Sequence, residues 1–166
     1  MWKNKILVLG VGNTLKGDDG LGPAFIDQFN SLIHNKYNGK IEAIDVGTGL
    51  TPFLLDVCMF PEKPSAILIV DGYTGANKKH PLKEGDIFEI NSSSLETRPE
   101  IGSIESHRLP PRDFLTELRE QGVKIRILVC KIHNIPNEVN MGLSDSAANA
   151  IPRICEKVER IINEML

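Results

Sequence analysis

The side chains with the most chemistry to offer are a few acids and histidines scattered along the chain. Asp18 and Asp19 stand together in the segment Gly10-Val11-Gly12-Asn13-Thr14-Leu15-Lys16-Gly17-Asp18-Asp19-Gly20-Leu21-Gly22, directly after an apolar run. A glycine-rich turn between strand and helix first suggests a dinucleotide site, where helix amides cradle pyrophosphate. Here the third glycine of that fingerprint is replaced by Leu15, and two carboxylates stand where a diphosphate would approach. Like-charge repulsion makes this a poor phosphate cradle. Acids at a helix start have an ordinary reading as caps of its positive end. Adjacent side chains point different ways, so one acid can cap while the other faces a cleft. The residues alone leave the two roles unassigned.

Asp71 ends the run Ala66–Asp71 (AILIVD), and open α/β sheets place ligand-contacting residues at such strand ends. It can equally shape a turn before Gly72. Asp45 ends a second run, before Val46-Gly47-Thr48, with the same two readings. Among the histidines, His34 and His80 lie in polar surface stretches, whereas His133 follows a strand candidate. His107 precedes Arg108-Leu109-Pro110-Pro111, just ahead of a helix candidate. Two carboxylates and an imidazole suit a borderline divalent ion, though no His-Glu-x-x-His or other paired-ligand spacing is present. Cys58, Cys130 and Cys155 are far apart and form no Cys-x-x-Cys pair, so they read as reduced, partly buried thiols. Cys130 closes a strand candidate and so falls near the edge where a site forms.

The elements that must position these groups alternate. Lys5–Gly10, Lys40–Asp45, Ala66–Asp71 and Lys124–Cys130 are short apolar runs that read as strands buried on both faces. Helices are expected over Gly22–Asn30, Pro52–Met59, Pro111–Gln121 and Ser144–Met165, with Pro152 kinking or splitting the last. Asp86–Ile90 follows Glu84-Gly85 with no apolar periodicity between it and Asp71. It is therefore expected as an antiparallel strand, since a parallel crossover usually needs a helix. Asn91–Ser106 is polar and reads as a surface loop leading to His107. The fold class is α/β: a three-layer αβα sandwich on a five-stranded mixed, mostly parallel sheet, with residues 1–166 as one domain.

With 166 residues, 41% of them hydrophobic and 25% charged, the chain can enclose a core. A net charge of −3 and the lack of a basic stripe argue against nucleic acid. No run suits a membrane span and the start does not read as a signal peptide, so a cytoplasmic location is expected.

The stretch ILVLGVGNTLKGDDGLG resembles the amino-terminal signature of the nickel–iron hydrogenase maturation proteases. The likeness continues through Asp45-Val46-Gly47-Thr48, Ala66–Asp71, Ser106-His107-Arg108-Leu109 and Met141-Gly142-Leu143-Ser144, in family order. It implies an endopeptidase, expected as a monomer, that trims the carboxyl-terminal extension of a nickel–iron hydrogenase large-subunit precursor. The nickel belongs to that precursor. By matching position, Asp19, Asp71 and His107 would be the nickel-binding and catalytic residues. Asp45, Gly47 and Thr48 would belong to a substrate-recognition loop. The chain departs from the family pattern at Val46, usually Gly, and at Glu84-Gly85, usually Pro-Gly after a shorter connection. It departs again in KIHNIPNE around His133. A non-enzymatic metallocentre-binding chaperone of the same fold is the alternative. A serine hydrolase is not, because no Gly-x-Ser-x-Gly elbow is present.

Overall fold

The computed structural model describes residues 1–75, 82–90 and 112–166. Strands β1 (Ile6–Val11), β2 (Ile41–Gly47), β3 (Ala66–Tyr73), β4 (Ile87–Ile90) and β5 (Lys124–Lys131) form one sheet in the order β2-β1-β3-β5-β4. Every neighbouring pair is parallel except β4 with β5. The mixed sheet and its antiparallel strand are thus as expected from the missing crossover helix. The four helices are α1 (Leu21–Ile33), α2 (Leu50–Met59), α3 (Arg112–Glu120) and α4 (Asp145–Met165).

Strand alternation sorts the core into two layers. Ile6, Val8, Leu68 and Val70 pack with α1 and α4 on one face. Leu7, Leu9, Ile67 and Ile69 pack with α2 and α3 on the other. This is the αβα sandwich. Each buried aliphatic side chain contributes roughly 1.5–3 kcal/mol, which is why the runs of β1 and β3 carry no polar residue before their carboxyl ends.

One expectation needs correction, and of the two alternatives for Pro152 one is removed. Lys40–Asp45 does not form a strand buried on both faces: β2 is an edge strand, and after Ile41 its residues are half-buried or exposed. Pro152 does not split α4, which runs unbroken over 21 residues. Pro152 lies on the exposed side, away from the stripe of Ile151, Ile154, Val158 and Ile161. The expected loop Asn91–Ser106, with His80 and His107, lies outside the described residues.

What places the site is the contact between the start of α1 and the end of β1. A Cβ on Gly22 would lie 2.2 Å from the Val11 carbonyl oxygen, and one on Gly10 would lie 2.4 Å from the Gly22 oxygen. Both clashes are with backbone, which cannot rotate away. Two glycines therefore let helix and strand touch main chain to main chain. The far edge is held differently. Arg126 on β5 makes a two-point pair with Glu89 of β4 at 2.5 and 2.8 Å, and reaches Glu164 of α4 at 2.7 Å. Hydrogen bonding from Arg126 holds the Glu89 carboxyl below its ordinary range.

Gly22→Ala is expected to lower stability in urea unfolding by about 3 kcal/mol, the upper end of overpacking costs. A loss under about 0.5 kcal/mol would show that the close approach is not required. Glu89→Gln is expected to cost about 0.5–1 kcal/mol at pH 7. Because the folded pKa is depressed, that contribution exists above the unfolded pKa and vanishes as pH falls through the folded one. The two proteins should therefore converge in stability on acidification. A difference that persists at acid pH would count against the pair.

Candidate active site at the carboxyl edge of the sheet

The strand order creates a switch point. From β1 the chain crosses by α1 to β2 on one side, then returns by α2 to β3 on the other. The crevice at the carboxyl ends of β1 and β3 is where open α/β sheets bind ligands. The register sets Gly10 opposite Val70, so Asp71 is level with Val11, the last residue of β1. A 3₁₀ turn, Gly17–Gly20, carries Asp18 and Asp19 over this crevice and packs on β3. The buried polar residues among those described are Asp18, Asp19 and Asp71, each no more than 6% exposed. Burying a carboxylate is costly unless donors meet it. Three such groups at one sheet edge mark a place built for charge.

The two adjacent acids divide as adjacent side chains must, but not around α1. The N-cap of α1 is Gly20, and no side chain caps that helix. Asp18 instead reaches the start of α4. One of its carboxylate oxygens accepts the Ser144 N–H at 2.6 Å, and the other accepts the Ser144 hydroxyl at 2.7 Å and the His133 N–H at 3.4 Å. Ser144 is the N-cap of α4 and also accepts from the Ala147 N–H. Asp18 thus adds an anion to the positive end of a long helix. Asp19 points elsewhere. Its Oδ2 accepts the Asn13 N–H at 2.9 Å, fixing the carboxylate against the loop that leaves β1. A Cβ on Gly12 would lie 1.8 Å from the Asp19 carbonyl oxygen, so the turn folds back on that glycine directly.

Asp71 shares the face of Ile67 and Ile69, and its Oδ1 accepts the Gly72 N–H at 2.8 Å. The turn-shaping reading therefore holds, and it orients the carboxylate at the strand end. Asp45 also shapes its loop: Oδ1 accepts the Gly47 N–H at 2.8 Å, and Val46 bulges between Gly10–Asp45 and Val11–Gly47 pairs. The Gly47 carbonyl accepts the Gly12 N–H at 2.9 Å, which ties the exposed Asp45–Thr48 loop to the acid-bearing loop. The left-handed position there is Gly47, at φ +53°, and not Val46. A valine is consequently tolerated where the family pattern has glycine.

The turn that carries Asp19 packs on β3, whose carboxyl end carries Asp71, and Asp45, Gly47 and Thr48 follow one strand away at the same edge of the sheet. His107 lies outside the described residues. Among the described residues no group of three His, Cys, Asp or Glu side chains is placed to hold a metal ion. His133 directs its Nδ1 to Glu84 at 3.3 Å, and His34 is exposed near the opposite edge. Cys130 is buried on the α1–α4 face, and burial pushes its thiol up to about 11, so it is protonated and inert at neutral pH. Sequence reasoning missed Ser144 as the partner of Asp18. Its only signal was a serine at a helix start.

Residues 29–161 match the model of the HycI hydrogenase maturation protease family. The chain is 30% identical over 157 residues, 93% of its length and 92% of the relative's, to coenzyme F420 hydrogenase subunit delta of Methanothermobacter thermautotrophicus. Its fold is that of a nickel–iron hydrogenase maturation protease HycI from Thermococcus kodakarensis (TM-score 0.69, 21% identity, covering 97% of this chain and 94% of that one). The endopeptidase HycI of Escherichia coli has it too (TM-score 0.67, 19% identity, 93% and 89% covered). The match over most of the chain, with two buried carboxylates at the switch point of the shared fold, establishes that this protein belongs to the hydrogenase maturation protease family.

Proposed function

We propose that this protease removes the carboxyl-terminal extension of a nickel–iron hydrogenase large-subunit precursor after nickel insertion, contacting the precursor's nickel through Asp19, Asp71 and His107. The observation that carries the reading is two buried carboxylates in a chain of this family, Asp71 at the carboxyl end of β3 and Asp19 on the turn packed against that strand. Their hydrogen bonds to the Asn13 and Gly72 N–H groups orient one oxygen of each, so the pair is held before substrate arrives. Oxygen ligands of this kind, with an imidazole from His107, suit a borderline divalent ion.

The nickel is part of the substrate. Anchoring it fixes the scissile bond against the enzyme and makes cleavage effectively unimolecular. The ion supplies Lewis acidity toward the carbonyl or the attacking water. The Asp45–Thr48 loop, hydrogen-bonded to Gly12, would meet the precursor on the β2 side. On this reading residues 1–166 act as one domain, as a monomer in the cytoplasm, without nucleic acid or membrane insertion. Among the described residues no helix is long and apolar enough to cross a membrane.

Incubation with nickel-loaded precursor is expected to shorten it by the mass of its tail. Intact precursor with tight binding would point to a chaperone instead. Asp19→Asn, Asp71→Asn and His107→Ala should each lower cleavage tenfold or more, ~1.4 kcal/mol of barrier, while circular dichroism stays native. Asp18→Asn should act on stability, costing about 1–3 kcal/mol for a weakened buried hydrogen-bonded anion, with cleavage largely kept. Loss of cleavage in Asp18→Asn with full activity in Asp19→Asn would reverse the two assignments.

The purified enzyme is expected to hold no stoichiometric metal after mild chelation, since the ion arrives with the substrate. Elemental analysis finding one tightly held zinc per chain would contradict this and indicate an ordinary metallopeptidase.

A further inference from the structure

The loop that leaves β1 closes on itself, with Asn13 and Asp19 at its two ends. The Asn13 N–H points at both the Asp19 carbonyl oxygen, 3.1 Å away, and the Asp19 Oδ2, 2.9 Å away. The Asn13 carbonyl accepts the Lys16 N–H at 3.0 Å, and the Lys16 carbonyl accepts the Asp19 N–H at 3.2 Å. Hydrogen bonds thus link 13 to 16, 16 to 19 and 19 back to 13. The orientation of the Asp19 carboxylate is thereby tied to the direction of the Asn13 peptide N–H.

The preceding residue does little to fix that direction. Gly12 has φ +147°, and a Cβ there would lie 1.8 Å from the Asp19 carbonyl oxygen. Only glycine fits, and glycine adds conformational freedom. Packing does little either, because Thr14 and Leu15 are exposed. The first side chain able to stiffen the loop is that of Asn13. Its Oδ1 accepts the Leu15 N–H at 2.9 Å, an Asx turn inside the β-turn closed by the bond from Lys16. Asn, Asp and Ser are favoured at the first position of such turns because their short side chains reach the main chain two residues on. Asp would make the same bond but would set a third negative charge near Asp18 and Asp19. Asn shapes the turn and stays neutral.

We infer that Asn13 is a positioning residue for the cleavage reaction: its side-chain oxygen fixes the turn whose main-chain N–H orients the Asp19 carboxylate. The inference rests on the proposed role of Asp19 and goes beyond it by naming a residue that acts through that acid.

Asn13→Ala removes the acceptor, and Asn13→Gln carries it one methylene too far out. Two loss variants guard against one failing to fold. Asn13→Ser restores a short acceptor at the same place in the turn. Lys16→Ala is the control, since it removes another side-chain tie of this loop, to the Asn137 carbonyl, and leaves Asn13 in place. Each is measured for cleavage of nickel-loaded large-subunit precursor and, by NMR, for amide hydrogen exchange at residue 13. The expected result is a fivefold or greater fall in kcat/KM for the two loss variants, with exchange at residue 13 at least fivefold faster. Asn13→Ser and Lys16→Ala should stay within twofold of wild type in both readouts. Unchanged kcat/KM in the loss variants overturns the inference and leaves the reaction standing. An equal loss in Asn13→Ser or in Lys16→Ala also overturns it, because the loop as a whole and not this acceptor would then matter. Full cleavage by Asp19→Asn removes the proposed role of Asp19 and the inference with it. Faster exchange in the loss variants but no cleavage of cognate precursor by wild type supports the orienting contact and overturns the proposed reaction.

Discussion

Three segments of the chain meet at the carboxylate of Asp18. An ion buried to this degree is costly by several kcal/mol unless donors surround it, and removing a partner leaves the penalty behind. Here the donors are the backbone and hydroxyl of Ser144 and the backbone of His133. The 3₁₀ turn after β1, the segment after β5 and the start of α4 are thereby locked to one another, although 115 residues separate Asp18 from His133 and 126 separate it from Ser144. Asp19 follows directly in the chain. With Asp18 held on the α4 side, its neighbour turns to the loop that leaves β1, where its Oδ2 accepts the Asn13 N–H. Two neighbouring acids thus take different partners, Asp18 at the start of α4 and Asp19 on the loop that leaves β1.

That clamp works only because the turn can lie so close to the sheet. Gly10, Gly12 and Gly22 each sit where a Cβ would strike backbone, so β1, the turn and α1 approach closely at these glycines. The glycine-rich signature therefore serves compaction here. In a dinucleotide site the same chemistry brings backbone to a phosphate. In this chain the space is filled by the protein's own acid turn, and the negative charge is supplied by the loop instead of by a ligand. One pattern of glycines consequently supports opposite electrostatics, and the two acids decide which.

Asp19 and Asp71 each have one oxygen engaged by a backbone donor on the loop or strand end that carries it. In both cases a main-chain donor helps to set the orientation of the carboxylate. Cys130, the thiol nearest this edge in sequence, is buried on the other face and protonated, so it does not compete for a borderline metal. The β2 loop is coupled to the same framework through Gly12 and Gly47.

Much of this was legible from residue order alone. The apolar runs of β1, β3 and β5 and the stripe on α4 specified the strands, the long helix and the sheet's class, because burial periodicity is local. The antiparallel edge strand followed from a missing crossover helix. Asp71 stood out by ending a strand run, whereas Asp19 was singled out from Asp18 only by its match to the family signature. Tertiary structure decided what local pattern cannot contain. Strand order made β2 an edge and so left it half-exposed, though its composition resembles the buried strands. The exposed setting of Pro152 let α4 continue through it. Most of all, the partition between Asp18 and Asp19 depended on Ser144, far along the chain. Two neighbouring carboxylates have the same chemistry, and only the donors that folding brings to one of them make them different.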